Sequence, residues 1–120
     1  GEVYVPDLVA ETAAWLLLAE GVRWSVVVGE HGDDVYCSLR VSDRRFSAGK
    51  LVREVIPAWP NGSAGGHGSM AGARVAVDPA LPKAARAKLR QKLLRQLLKA
   101  TGASGPSRPF TAAIPVDVDA

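Results

Sequence analysis

The chain has 120 residues, 48% of them hydrophobic and 22% charged, and its formal net charge is +3. This is the length of one domain with its own core, and the composition excludes a collagen-like or wholly disordered chain. A single cysteine excludes a disulfide framework and a four-cysteine zinc site, and no apolar run approaches the roughly 20 residues that span a bilayer. No secretory signal opens the chain, so we expect a soluble, cytoplasmic protein without a membrane segment.

The first predicted elements are a short strand and a helix. Residues 2–5 alternate polar and apolar side chains, which favours a strand. Residues 8–20 are rich in Ala and Leu, follow Asp7 as a candidate cap and end at Gly21, which is typical of a helix. Few charges interrupt this helix, so we expect it to be largely buried, with Trp15 in the core.

A hairpin is predicted next, from strands over residues 22–29 and 35–42. The second strand has the period of two that gives a strand two different faces. One face carries Val35, Cys37, Leu39 and Val41, and the other carries Tyr36, Ser38, Arg40 and Ser42. Residues 30–34 have turn chemistry, and we expect His31 to be an exposed turn residue. Cys37 is predicted to be a buried, unreactive thiol.

The middle of the chain predicts a helix, a loop and a strand. Ser47 is a candidate cap for a helix over residues 48–56, which Pro57 and Pro60 end. Residues 61–72 contain five glycines and no charged side chain, which predicts a loop. A strand over residues 73–77 follows. Trp24 and Phe46 are predicted core aromatics, whereas Tyr36 and Trp59 are the candidates for a ligand-facing surface.

A long amphipathic helix is predicted over residues 82–100. Its leucines fall in one half of the helix, and the opposite face is cationic, with Lys88, Lys92, Arg95 and Lys99. Arg86 and Arg90 project beside the apolar arc, which makes them candidates for secondary anion contacts. No Asp or Glu occurs between Pro79 and Val116, an asymmetry that favours an anionic partner, although basic helix faces are often simply solvated.

These elements predict an α/β fold with a central mixed sheet of about four or five strands, flanked by three helices. We expect one domain over residues 1–103. The tail over residues 104–120, which contains Gly and Pro, is predicted to be either loose or a single edge strand.

The glycine-rich segment is the most informative stretch for function. Its backbone N–H groups can approach a ligand closely and form a concavity that binds anions, and His67 in its middle can donate to a phosphate oxygen or transfer a proton. The segment has neither the lysine of a Walker loop nor the strand-to-helix position of a dinucleotide fingerprint. A flexible surface loop without a ligand is the alternative.

The segment from Gly62 to Gly72, with Gly65-Gly66-His67 at its centre, resembles the G-G-G-H…A-A-G signature of the DHH-associated C-terminal domain of the DHH phosphoesterase superfamily. Ser38-Leu39-Arg40 resembles the same domain's S-x-R strand, and the order of elements agrees over residues 6–100. The superfamily includes RecJ-like exonucleases, oligoribonucleases, cyclic-dinucleotide phosphodiesterases and exopolyphosphatases. Ser63 and Ala64 stand where the signature often has glycines.

The resemblance implies that this domain binds the phosphate of short nucleic acids or nucleotides. The implied substrate-binding residues are Ser38, Arg40, Gly65, Gly66, His67 and Ser69. The metal ions, usually Mn²⁺, are held in this family by a separate N-terminal DHH domain, which is the implied partner. The chain has two histidines and no D-H-H triplet, so we expect it to hold no metal and to be inactive alone, with His67 assisting when the metal domain is present.

Two other readings stay open. The cationic face of the long helix predicts a non-catalytic module that binds nucleic acid through its phosphates. Because the glycine-rich segment also resembles one in a related domain of alanyl-tRNA synthetases, tRNA binding is a variant of this reading. The apolar face of the same helix, or the tail, favours a plain interaction or dimerisation domain.

Overall fold

The computed structural model describes residues 9–14 and 23–102, and the backbone of residues 110–113. Residues 9–14 are helical, within the first predicted helix. The predicted strand over residues 2–5, the rest of the first helix and the core position of Trp15 lie outside the described residues.

The centre of the fold is a five-stranded mixed sheet. The strands are β1 (Trp24–His31), β2 (Asp34–Val41), β3 (Gly62–His67), β4 (Met70–Ala76) and β5 (Phe110–Ala113). They lie in the order β3-β4-β2-β1-β5, and every neighbouring pair is antiparallel except β1 and β5. The predicted α/β fold with a mixed sheet is therefore confirmed, and part of the tail forms an edge strand.

Two helices pack on one face of this sheet. Helix α1 (Ala48–Val55) begins at Ser47, whose hydroxyl accepts a hydrogen bond from the Lys50 N–H at 3.2 Å. A 3₁₀ turn, Ile56–Ala58, follows it, and helix α2 spans Lys83–Ala100. The core between these helices and the sheet includes Val26, Val28, Cys37, Leu39, Leu51, Val52, Val75, Leu93 and Leu97. Neither described helix is long and apolar enough to cross a membrane.

The helical residues 9–14 lie against the opposite face of the sheet. The Ser25 hydroxyl donates a 2.6 Å hydrogen bond to the Ala13 carbonyl, and both residues are fully buried. Because side chains alternate along each strand, the face that meets this segment is the one that carries Ser38 and Arg40. The sheet is thus covered on both sides, but only part of the second face is covered by described residues.

The predicted loop over residues 61–72 is a β-hairpin. Residues 62–67 pair with β4 in continuous register, from Gly62 opposite Val75 to His67 opposite Met70. The turn between them has two residues, Gly68 and Ser69, and Gly68 has φ +59°, as the first position of a II′ turn requires. The loop prediction was wrong. Strand β4 begins at Met70, three residues before the predicted strand over residues 73–77, and its backbone pairs with residues 62–67.

Two side chains do not lie where the sequence predicted. His31 ends β1 and is half-buried, because the hairpin turn is formed by Gly32 and Asp33 instead. Phe46 is 39% exposed rather than part of the core. Trp24 is buried as predicted.

Candidate functional site

Arg40 and His67 lie on one row across the sheet. In the strand register, Arg40 is opposite Met70, and Met70 is opposite His67. Directly opposed residues share a face, so the three side chains project to the same side. Neighbouring strands are about 4.8 Å apart, which places the backbones of Arg40 and His67 about 10 Å apart across Met70. An arginine side chain and an imidazole at this separation can contact one phosphate group.

A second row, parallel to the first, has small side chains. Ser38 is opposite Gly72, and Gly72 is opposite Gly65. A Cβ at Gly65 would meet no atom within 4 Å, so the surface above this glycine is open. The row therefore gives a flat backbone floor beside the Arg40 row.

These rows form the floor of a groove of about 540 Å³. Its lining contains all six predicted substrate-binding residues, namely Ser38, Arg40, Gly65, Gly66, His67 and Ser69. Met70 and Ala10, the latter from the helical segment 9–14, also line it. No acidic side chain belongs to the described lining, so the charge contributed by Arg40 is not opposed within the groove. The arrangement suits an anion.

The groove continues along the sheet into a second depression of about 340 Å³. Tyr36, Arg74 and Ser63 form the next row in that direction, and all three line the depression. The predicted ligand-facing position of Tyr36 is therefore on the same face as Arg40.

Strand β2 places the Arg40 side chain at the groove. The side chain is half-buried, and its Nε is shielded from solvent without a hydrogen-bond partner among the described residues. A guanidinium offers a planar fork of donors that matches a phosphate. A phosphate in the groove would supply acceptors for this fork.

The glycine-rich hairpin is held in place by α1. A Cβ at Gly49 would lie 2.4 Å from the Gly66 carbonyl oxygen and 2.9 Å from the Cα of His67, so only glycine fits at this helix position. The Arg53 Nη1 donates a 2.8 Å hydrogen bond to the same Gly66 oxygen. The Ala48 N–H donates to the Gly68 carbonyl at 2.8 Å. These contacts fix the backbone on either side of His67, which is itself exposed.

The predicted secondary residues Arg86 and Arg90 are not brought to the groove. Both belong to α2, which packs on the other face of the sheet. Arg90 forms an ion pair with Glu30 there, and Arg86 has a shielded Nε without a described partner. The two candidates for secondary anion contacts therefore do not join Arg40 at the groove, because the apolar arc beside them faces the core.

Trp59, the other predicted ligand-facing aromatic residue, packs against α2. Its indole Nε1 donates a 2.7 Å hydrogen bond to Gln96 Oε1, and the Lys92 Nζ lies 5.6 Å from the centroid of its ring. Trp59 therefore joins the 3₁₀ turn region to α2, away from the groove.

Other chemistry is limited in the described part of the chain. Burial raises the pKa of the Cys37 thiol to about 12, so this buried thiol is not a nucleophile near neutral pH. The described residues contain no group of three or more His, Cys, Asp or Glu side chains that is arranged to hold a metal ion.

Sequence reasoning identified the residues of the groove but missed Met70, which stands between Arg40 and His67 and is 50% exposed. The strand register that places it there depends on pairing between distant segments. The local signal for this position is that Met70, Gly72 and Arg74 are two residues apart, as on one face of a strand. The predicted loop over residues 61–72 ends inside this series, so the strand period was not recognised there.

The model of the DHHA1 domain family matches residues 4–101. The chain belongs to the DHHA1 domain family, the DHH-associated domain that the groove residues had indicated. Among solved structures, the fold is similar to the C-Ala domain of alanyl-tRNA synthetase from Aquifex aeolicus, with 22% sequence identity and a TM-score of 0.53. The similarity covers 77% of this chain and 83% of that one. No curated protein matches the chain in sequence.

Proposed function

We propose that this chain is the substrate-binding domain of a metal-dependent DHH-family phosphoesterase. It binds the phosphate of a short nucleic acid or nucleotide, and a separate N-terminal DHH domain hydrolyses the phosphodiester or phosphoester bond. The observation that carries the proposal is the row formed by Arg40 and His67 on one sheet face, in a groove lined by all the residues that the family signature implied.

The described residues contribute binding and orientation. The Arg40 fork grips phosphate oxygens, and the open glycine floor at Gly65 lets a ligand approach the backbone closely. His67, exposed at the rim, donates to a phosphate oxygen or handles a proton. Membership of the DHHA1 domain family supports a DHH domain as the partner.

The described residues do not fit a metal centre, because no cluster of three ligating side chains is present among them. Mn²⁺ therefore belongs, in this proposal, to the DHH domain, where metal ions activate water and stabilise the leaving oxygen. The chain alone is proposed to bind without hydrolysing. A cytoplasmic location accompanies this proposal as a prediction.

A second candidate function is a non-catalytic nucleic-acid-binding module that uses α2. The observation in its favour is that the cationic face is exposed as predicted, with Lys88, Lys92, Arg95 and Lys99 all at the surface. Such a surface would bind phosphates with an affinity that falls steeply as salt is added. The logarithm of the association constant would fall against the logarithm of salt concentration with a slope near −0.7 for each single-strand phosphate contact.

Calorimetric titration with a 5′-phosphorylated trinucleotide separates the two candidates. Arg40→Ala and His67→Ala should each weaken binding about tenfold or more, since each removes one direct phosphate contact. The matched control is Lys88→Ala combined with Lys99→Ala, which removes two cations from α2 and should change affinity less than twofold. If the α2 variant loses binding and the groove variants keep it, the phosphoesterase assignment fails and the α2 module takes its place.

A further inference from the structure

The imidazole of His67 depends on the backbone around it for its direction. The side chain is exposed, and within the described part of the chain no residue forms a hydrogen bond with its ring. Gly65 and Gly66 precede it and Gly68 follows it, and glycine leaves the backbone more conformational freedom than any other residue. A contact from outside this short segment is therefore needed to hold the imidazole towards the groove.

Gly66 has a backbone conformation that suits only glycine. Its φ is +129°, and an added Cβ would lie 2.5 Å from the Ala71 Cα and 2.6 Å from the Met70 carbonyl oxygen. The Gly66 carbonyl belongs to the same planar peptide unit as the His67 N–H. A group that holds the Gly66 oxygen therefore also fixes the plane from which the His67 side chain departs.

Arg53, in the last turn of α1, holds this oxygen. Its Nη1 donates the 2.8 Å hydrogen bond to the Gly66 carbonyl, and a charged donor makes a stronger bond than a neutral one. Arg53 is not among the described residues that line the groove. It reaches β3 from the side of α1, whereas Arg40 and His67 project from the other face of the sheet. It is therefore placed to act on His67 and not on the ligand.

The other contacts from α1 to this segment come from its backbone. The Ala48 N–H donates to the Gly68 carbonyl at 2.8 Å, and Gly49 allows the close approach to Gly66. Arg53, by contrast, acts through an exposed side chain. Its truncation removes one hydrogen bond from the hairpin and leaves the packing of α1 on β3 intact.

We infer that Arg53 is a positioning residue for the groove, which orders the peptide between Gly66 and His67 before the ligand arrives. The inference rests on the proposed function, since it takes His67 as a phosphate contact. Ordering a glycine-rich segment in advance raises affinity, because less conformational entropy is then lost on binding. Affinity should thus depend on a side chain that does not touch the ligand.

Calorimetric titration with the 5′-phosphorylated trinucleotide at several salt concentrations tests this role. Arg53→Ala should weaken binding about fivefold, the worth of one net hydrogen bond. The slope of the logarithm of affinity against the logarithm of salt concentration should not change. Arg40→Ala, which removes a phosphate contact, should make that slope shallower by about 0.7.

Lys50→Ala is the matched control. Lys50 is an exposed cation one turn earlier on α1, and its side chain forms no hydrogen bond with the hairpin among the described residues. Its loss should change affinity by less than about twofold. In the free chain, the NMR signal of the His67 backbone amide should move in Arg53→Ala and stay in place in Lys50→Ala.

A double-mutant cycle with His67 separates positioning from a second ligand contact. In the His67→Ala background, Arg53→Ala should weaken binding by less than about twofold, because the side chain that it positions is gone. A fivefold loss that persists in this background would show that Arg53 acts independently of His67 and would overturn the inference.

The remaining outcomes distinguish the inference from the proposed function. Arg53→Ala with native affinity, or with a salt slope as shallow as that of Arg40→Ala, would overturn the positioning role. The proposed function would still stand if Arg40→Ala and His67→Ala each weaken binding. If neither of these two variants weakens binding, the proposed function itself fails, and the inference fails with it.

Discussion

Replacement of Gly49 by alanine sets two opposite effects against each other. Alanine is favoured over glycine inside a helix by about 1 kcal/mol, and Gly49 lies in α1. The new Cβ, however, would lie 2.4 Å from the Gly66 carbonyl oxygen, 2.8 Å from its carbonyl carbon and 2.9 Å from the His67 Cα. All three are backbone atoms, so no side chain can rotate away, and α1 and β3 must separate by about 1 Å to reach ordinary contact near 3.5 Å.

Overpacking of a tight interior costs about 1–3 kcal/mol, and we take the upper end because only backbone is in contact. After the helix-propensity gain, Gly49→Ala should lower the free energy of unfolding by about 2 kcal/mol. Urea unfolding, monitored by tryptophan fluorescence, measures this loss in the free energy of unfolding. A variant as stable as the native chain, or more stable, would refute the close packing of α1 against β3.

Gly65→Ala is the matched control for this substitution. Gly65 lies in the same hairpin, but its added Cβ would meet no atom within 4 Å, so stability should change by less than about 0.5 kcal/mol. The methyl group would nevertheless stand on the floor of the groove and should weaken trinucleotide binding. Full binding by a stable Gly65→Ala variant would show that no ligand approaches this glycine closely.

Three further predictions concern the core and the surface near Phe46. The Cys37 thiol, whose pKa burial raises to about 12, should resist a thiol reagent at pH 8 in the folded chain and react on unfolding; rapid reaction in the native state would contradict its burial. Leu97→Ala, at a fully buried position, should cost about 2–5 kcal/mol in the free energy of unfolding, and a loss under 1 kcal/mol in urea unfolding would place Leu97 outside the core. Hydrogen bonds from Arg45 lower the pKa of the Asp43 carboxyl from 3.8 to about 2, so this pair stabilises the fold above about pH 4 and the contribution disappears as the pH falls towards 2. Carboxyl NMR should find that Arg45→Ala raises this pKa only part of the way to its ordinary value, because the backbone N–H of residue 45 still donates to Asp43. An unchanged pKa would contradict the role of the Arg45 side chain.

Local patterns predicted the elements whose residues carry their own structural signal. The alternation in β2 predicted which face would hold Ser38 and Arg40, and the Ser47 cap predicted the start of α1. The helical spacing of the leucines predicted a helix over residues 82–100, and α2 begins one residue later, at Lys83. In each case the signal comes from neighbours along the chain.

The glycine-rich hairpin had no such signal. Glycine has a low strand propensity, so Gly62–His67 forms a strand only because β4 pairs with it and α1 supports it. The groove residues were therefore identified through their resemblance to a family signature, whereas their arrangement as rows on a sheet needed the tertiary structure.

The predictions for Phe46 and Arg90 also depended on tertiary contacts that the sequence does not show. Phe46 is a predicted core residue, but it lies in the connection between β2 and α1 and contacts Trp24 from the surface. Arg90 lies beside the apolar arc of α2 and is a candidate anion contact from the sequence, but Glu30 on β1 forms an ion pair with it.

The measurement that tests the central claim most directly is an NMR titration of the ¹⁵N-labelled chain with the 5′-phosphorylated trinucleotide. The backbone amides of the hairpin are reporters built into the groove, and those of α2 report on the rival surface. We predict the largest shifts at Gly65, Gly66 and Gly68, with α2 unaffected between Lys88 and Lys99. Shifts confined to α2, with the hairpin amides unmoved, would contradict the account.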